Sequence, residues 1–220
     1  MTKLAQLACF FITCLSAISL AQETTPETPL DIVYRENLAT LKGKPDAAEI
    51  EKALSALMDN AAKGHAPSEL LLAQSFYIGS KAIPQDYDRA FPYVKAAALR
   101  NHPWSMNAFA SMHEFGQGTE RDAGMALNWY RLAAASGQPR AMANLGRILT
   151  SRPANSRDHI EGCAWLYLSR ELKDGVGSRT LQMIEANIPA GNVRKIEDLL
   201  NELRERIQTS NPVQPATNEE

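Results

Sequence analysis

Residues 102–137 read HPWSMNAFASMHEFGQGTERDAGMALNWYRLAAASG, and altered copies of this stretch lie on either side of it. HAPSELLLAQSFYIG (65–79) and QPRAMANLGRILTS (138–151) align with HPWSMNAFASMHEFG (102–116) at steps of 37 and 36 residues. They share a small residue at Ser68, Ser105 and Ala141, a large apolar one at Leu72, Phe109 and Leu145, and a small one next to it at Ala73, Ala110 and Gly146. The second half of each copy keeps the step, with Asp86, Asp122 and Asp158, then Ala90, Ala126 and Gly162, then Tyr93, Trp129 and Trp165 each spaced 36 apart. A period of this size is that of one helix-turn-helix unit in a stacked array.

Each unit has a physical reading. In the first half, Ser68, Leu72, Ala73, Ser75 and Phe76 recur at helical spacing and mark one buried stripe, which defines helix A. Gly79, Gly116 and Gly118 stop it, because glycine enters the left-handed conformation without steric cost. Asp86, Asp122 and Asp158 then read as N-caps of helix B, each carboxylate accepting from unpaired amides at the positive end of the helix dipole. Helix B carries Ala90, Tyr93, Val94 and Ala97 in one copy and Ala126, Trp129, Tyr130 and Ala133 in the next. The alanines permit close approach and the rings, Trp129 among them, are expected in the core, each contributing about 1.5 to 3 kcal/mol.

The flanks complete the array. Residues 47–63, with Ala53, Leu57 and Ala61, align with helix B and read as a half repeat closing the N-terminal end. After Trp165 the period lapses, and 178–187 and 192–208 read as two closing helices. In the second, Val193, Ile196, Leu199, Leu200, Leu203 and Ile207 form one apolar stripe opposite a charged face, as a terminal cap requires. The expected organisation is an all-α domain over 31–208, with repeats near 65–101, 102–137 and 138–170 and capping helices within 178–208. Proline and polar residues mark 22–30 and 209–220 as a disordered linker and tail.

Met1 to Leu20 has one charge, Lys3, followed by a charge-free apolar run from Leu4 to Leu20 and small residues at Ser19 and Ala21. That is the shape of a signal peptide over 1–21, cleaved after Ala21, and the protein is expected to be periplasmic or secreted. A retained membrane anchor and a lipoprotein signal through Cys14 are the rival readings, the latter lacking a small residue before the cysteine. Cleavage leaves 22 basic residues against 25 acidic and Cys163 as the one cysteine. Its apolar neighbours, Gly162, Ala164, Trp165 and Leu166, point to burial rather than a catalytic thiol. With 45% hydrophobic and 22% charged residues and a net charge of −2, the full chain is globular and has no basic surplus for nucleic acid.

Reactive constellations are missing. The four histidines, His65, His102, His113 and His159, show no metal-ligand spacing. His65 and His102 occupy one repeat position at the turn into helix A, where Gln138 stands in the third copy, and His113 takes the packing position of Phe76 and Leu149. Gly116-Gln117-Gly118 is a repeat loop rather than a phosphate cradle, and Glu197, Asp198 and Glu202 lie on a solvated helix face. No catalytic residue, cofactor or metal is expected.

The strings Ile83-Pro84-Gln85-Asp86-Tyr87, Ala126 through Gly137 (ALNWYRLAAASG) and Ala141 through Gly146 (AMANLG) resemble the Sel-one-like repeat (SLR) family, relatives of the tetratricopeptide repeats with longer loops. The likeness covers about 61–170. The third copy departs from it, with Arg152 where the loop glycine is expected and Trp165-Leu166 in place of the Trp-Tyr pair. The resemblance implies a right-handed α-solenoid of about three helix-turn-helix repeats with capping helices, acting as an exported scaffold or adaptor of bacterial envelope or signalling assemblies. Some cysteine-rich members are regarded as penicillin-binding or β-lactamase-like, but their paired repeat cysteines are missing here.

Positions that repeat in place but not in chemistry are Leu70, Asn107 and Ala143; Gln74, Ser111 and Arg147; and Tyr77, Glu114 and Thr150. They step by four and three along helix A, so they share one face opposite the small-residue stripe. That face is the expected partner groove, with Tyr77, Asn107, Ser111, Glu114 and Arg147 as contacts and a solvated surface as the bland alternative. The expected partner is another protein or an extended peptide, with the membrane touched only through an uncleaved signal segment. An envelope hydrolase or cell-wall-binding protein, and a subunit self-associating through the 192–208 stripe, are the alternatives.

Overall fold

A computed structural model describes residues 27–210. The expected signal peptide, most of the linker and the tail from 211 lie outside the described residues. Ten α-helices and one 3-10 turn form, with no strand among the described residues. The chain divides into two compact units at Ala56 and Leu57.

The first unit holds α1 (Pro29–Lys42) and the beginning of α2 (Ala47–Ala62). Thr28 Oγ1 accepts from the Asp31 amide at 3.2 Å while the Asp31 carboxylate accepts from the Thr28 amide at 2.9 Å. This reciprocal cap, with Pro29 at the first helical position, starts the helix two residues ahead of the expected boundary at 31. Along α2, Ala53, Leu54, Leu57 and Ala61 are buried, the stripe expected of a B helix.

The second unit is a run of antiparallel hairpins: α3 (Ala66–Ile78) with α4 (Tyr87–Leu99), α5 (Pro103–Phe115) with α6 (Ala123–Ala135), and α7 (Pro139–Thr150) with α8 (Arg157–Glu171). Each hairpin also packs on the next, α4 on α5 and α6 on α7. Equivalent positions are buried together. Leu72, Ala110, Ala141 and Leu145 on the A helices and Ala90, Val94, Ala126, Tyr130 and Leu166 on the B helices have at most 1% of their surface exposed. Chain entry into each A helix is one repeated turn. Gly64, Asn101, Gly137 and Lys173 have φ between 60° and 84°, and the next residue's amide donates back to Asn60, Ala97, Ala133 and Ser169 at 3.0–3.1 Å.

The turn role expected of His65 and His102, and of Gln138 in their place, is what the structure shows. His102 Nδ1 accepts from the Ser105 amide at 3.4 Å, Gln138 Oε1 accepts from Ala141 at 2.8 Å, and His65 Nδ1 lies 2.7 Å from Ser68 Oγ. The same turn recurs at Asp174, whose Oδ1 accepts from the Val176 and Gly177 amides at 2.9 Å. The period therefore does not lapse after Trp165. Helix α9 (Gly175–Ile184) is the A helix of a fourth, shortened unit, with Gly177 and fully buried Leu181 one repeat beyond Ala141 and Leu145. Capping by Asp174 starts it three residues before the expected 178, and the expected last turn is 3-10, Glu185–Asn187.

Helix α10 (Ala190–Ser210) lies on α8. Ile196, Leu200 and Leu203 are buried there, so the stripe considered for self-association is largely spent within the chain, with Val193 left 46% exposed. Two further expectations are corrected. Asp86 and Asp122 cap α4 and α6, accepting from Arg89 and Met125 at 3.0 and 2.8 Å, but α8 is capped by Ser156, which accepts from His159 at 3.1 Å. The third loop lacks its glycine, and the chain closes differently: His159 Nδ1 donates toward the Thr150 and Arg152 carbonyls at 3.1 and 3.2 Å. Trp129 is half-buried rather than central, packing edge-on against Phe109 at 5.1 Å, while its neighbour Tyr130 is fully enclosed. The helix turns Tyr130, one step on, toward the axis of the stack.

Candidate functional site

The outward row of the A helices is where chemistry varies, and the structure gathers part of it around one cavity of about 440 Å³. Tyr77, Asn107 and Ser111 line it, as expected. Trp104 and Phe115 join from the two ends of α5, Tyr130 from α6, and Gln138, Arg140 and Asn144 from the start of α7. Asn144 donates through Nδ2 to Asn107 Oδ1 at 3.0 Å, joining consecutive A helices by an amide pair. Tyr77 meets Tyr87 and Trp104 edge-on at 5.5 and 5.6 Å, which fixes an aromatic wall in a favoured ring geometry.

Glu114 and Arg147, the other two expected contacts, stand outside the lining and are occupied with one another. Arg147 Nη2 donates to Glu114 Oε1, and the Tyr130 hydroxyl donates to Glu114 Oε2 at 2.8 Å. Burial, then the Glu114 charge, raises the Tyr130 pKa. Tyr77 is also raised, by burial above all, with hydrogen bonding to Ser111 acting against it and Tyr87 adding to it. Both phenols hold their protons at neutral pH and serve as hydrogen-bonding groups, not bases.

The cavity has one guanidinium and no carboxylate in its lining. Arg140 Nε donates to Asp174 Oδ2 at 2.8 Å, anchoring the start of α7 to the cap of α9. Elsewhere, burial pushes the Cys163 thiol up to about 11, in keeping with the buried, unreactive position expected of it. Among the described residues, no group of three or more His, Cys, Asp or Glu side chains is placed to hold a metal ion. No described helix is long and apolar enough to cross a membrane.

Trp104, Arg140 and Asn144 were not among the expected contacts. Trp104 and Arg140 share one repeat position, three residues before Asn107 and Ala143, so extending the varying row one step toward the helix start would have found both. Asn144 had no such signal. At the third A helix the residue in register with Asn107 is Ala143, which is buried near Gly177 of α9, and its neighbour Asn144 takes the outward place.

Fold and face together define a helical-repeat scaffold with a polar, aromatic-edged groove. Two of its repeats match the Sel1 repeat family model, over residues 66–102 and 105–138. The chain is similar to the chitin synthase regulator SKT5 of Saccharomyces cerevisiae, 28% identical over 151 residues, covering 67% of this chain and 20% of that protein. It thus spans about a fifth of that relative's length. Among solved structures, c5321, a protective antigen of uropathogenic Escherichia coli displaying an SLR fold, aligns with a TM-score of 0.60 and 22% identity over 82% of this chain and 37% of that one. A Sel1 repeat protein from Oxalobacter formigenes aligns at 0.58 and 18% identity, over 76% and 68%. The two structures share the SLR solenoid arrangement of this chain.

Proposed function

We propose that this protein is a non-catalytic scaffold of the bacterial cell envelope that binds another protein, or an extended segment of one, on the outward face of its A helices. The observation that carries the reading is the cavity between α3, α5, α6 and α7, where aromatic edges and hydrogen-bonding amides converge. The yeast relative supports it, being by name a regulator of chitin synthase. Curved helical-repeat stacks also make extended binding surfaces.

Capture of partners from the source cell by wild type, Tyr77→Ala and Trp104→Ala tests the reading. Loss of the same captured protein from both variants, with unchanged thermal unfolding, is the expected result. Retention of every captured protein by both sinks it.

Export rests on the charge-free run Leu4 to Leu20 and the small residues Ser19 and Ala21 at its end. Intact-mass measurement on protein recovered from the cell is expected to give a chain starting at Gln22. A chain retaining Met1 in the membrane pellet refutes cleavage and favours the anchor.

A further inference from the structure

We propose that the cavity between α5 and α7 reads an acidic residue within an extended peptide, holding the peptide main chain on the Asn107–Asn144 amide pair and its carboxylate on Arg140. This deepens the scaffold reading and rests on it.

The argument begins with hydrogen-bond inventory. In the Asn144 to Asn107 bond one donor and one acceptor are used, which leaves the Asn144 carbonyl oxygen and the Asn107 amide hydrogens as spare groups on two residues that line the cavity. A group that offers an acceptor beside a donor matches a peptide unit, which carries one of each. Asn107 is only 9% exposed and lines the cavity, so its position is fixed by packing before anything binds. Preorganisation of this kind removes part of the ordering cost of association.

Charge supplies the second half. Arg140 lies one helical turn before Asn144 on α7, and residues four apart share a face, so guanidinium and amide pair point the same way. Its Nε is held by Asp174, whose side chain is 8% exposed and whose other oxygen caps α9, while the Arg140 side chain is half exposed. Among the described residues the two Nη groups bond nothing. A guanidinium has donors and no acceptor, and paired terminal nitrogens fit a carboxylate. The nearby carboxylate on this face, Glu114, is taken by Arg147 and Tyr130.

The test uses full-length protein and fluorescein-labelled octapeptides blocked at both ends, random except for Glu, Gln, Lys or Leu fixed at the fourth position, read by anisotropy. The Glu pool is expected to bind about tenfold better than the Gln pool, the gap shrinking as salt rises from about 0.05 to 0.5 M. Arg140→Gln should erase the Glu preference and Arg140→Glu should turn it toward Lys. Because Arg140 also anchors Asp174, Arg140→Lys is the control: it keeps the charge and should keep most of the preference. Asn107→Asp should weaken every pool. Equal binding of the Glu and Gln pools, a preference that survives in Arg140→Gln, or binding seen only when the peptides are given a free C-terminal carboxylate would each overturn the proposal. If the captured partner is lost with Trp104→Ala yet no pool binds, the peptide reading fails and the scaffold reading stands. If capture is also unaffected, both fail.

Discussion

His102 and His113 make opposite predictions. His102 uses Nδ1 as an acceptor at the head of α5, and burial lowers its pKa below 6.5. The unfolded chain therefore takes up this proton at a higher pH than the folded chain, so the contribution is complete above about pH 6.5 and is lost as pH falls through that value toward the folded pKa. His102→Gln, which copies the cap at Gln138, should flatten part of the fall in melting temperature between pH 7 and pH 5, and a melting series that keeps the wild-type slope would refute this account. His113 is 7% exposed, and neither ring nitrogen has a hydrogen-bond partner among the described residues. It sits edge-on to Phe109 at 4.7 Å and near Phe91 at 6.1 Å, in the position Phe76 holds one repeat earlier. His113→Phe should raise stability by about 1 to 3 kcal/mol in denaturant unfolding, since an unpaired buried polar group costs about that much. A destabilised variant would show that the imidazole is needed.

Close approach sets the behaviour of the elements. Gly118 has φ +66° and brings the second loop against the Tyr87 carbonyl at the start of α4 in the preceding repeat, where a side chain has no room. A Cβ at Gly146 would lie 2.6 Å from Leu166, and one at Gly162 would lie 2.8 Å from Leu149, so α7 and α8 touch almost backbone to backbone. Gly146→Ala should cost about 1 to 3 kcal/mol by overpacking, whereas Gly191→Ala, which meets open space, should cost little. Two equal melting curves would refute the close crossing. Helix starts and ends were readable in sequence where one residue does the work, as with Asp86 and Asp122. The third loop was not, because Ser156 takes the place of the usual aspartate as the cap of α8, and His159, with the loop glycine missing, donates toward the Thr150 and Arg152 carbonyls.

At the scale of the whole molecule, each hairpin depends on its neighbours, and the last needs a cover. Deleting residues 190–210 removes Ile196, Leu200 and Leu203 from α8, at about 1.5 to 3 kcal/mol each. Their sum is comparable with the net stability of an ordinary domain, about 5 to 15 kcal/mol. The truncated protein should lose its cooperative melt by circular dichroism and aggregate in light scattering; an unaltered melt would mean that α10 is not a cap. Repeat length, hairpin pairing, turn residues and the buried stripe were determined by the sequence itself, because contacts within and between adjacent repeats recur at a fixed separation and leave a periodic mark. Tertiary structure alone decided that Asn144 rather than Ala143 faces Asn107, that Glu114 and Arg147 neutralise one another, and that Arg140 reaches Asp174 with its Nη groups left open. Those outcomes depend on how far each helix is rotated against the next, and a rotation of one residue leaves no trace in a pattern that repeats only every three dozen.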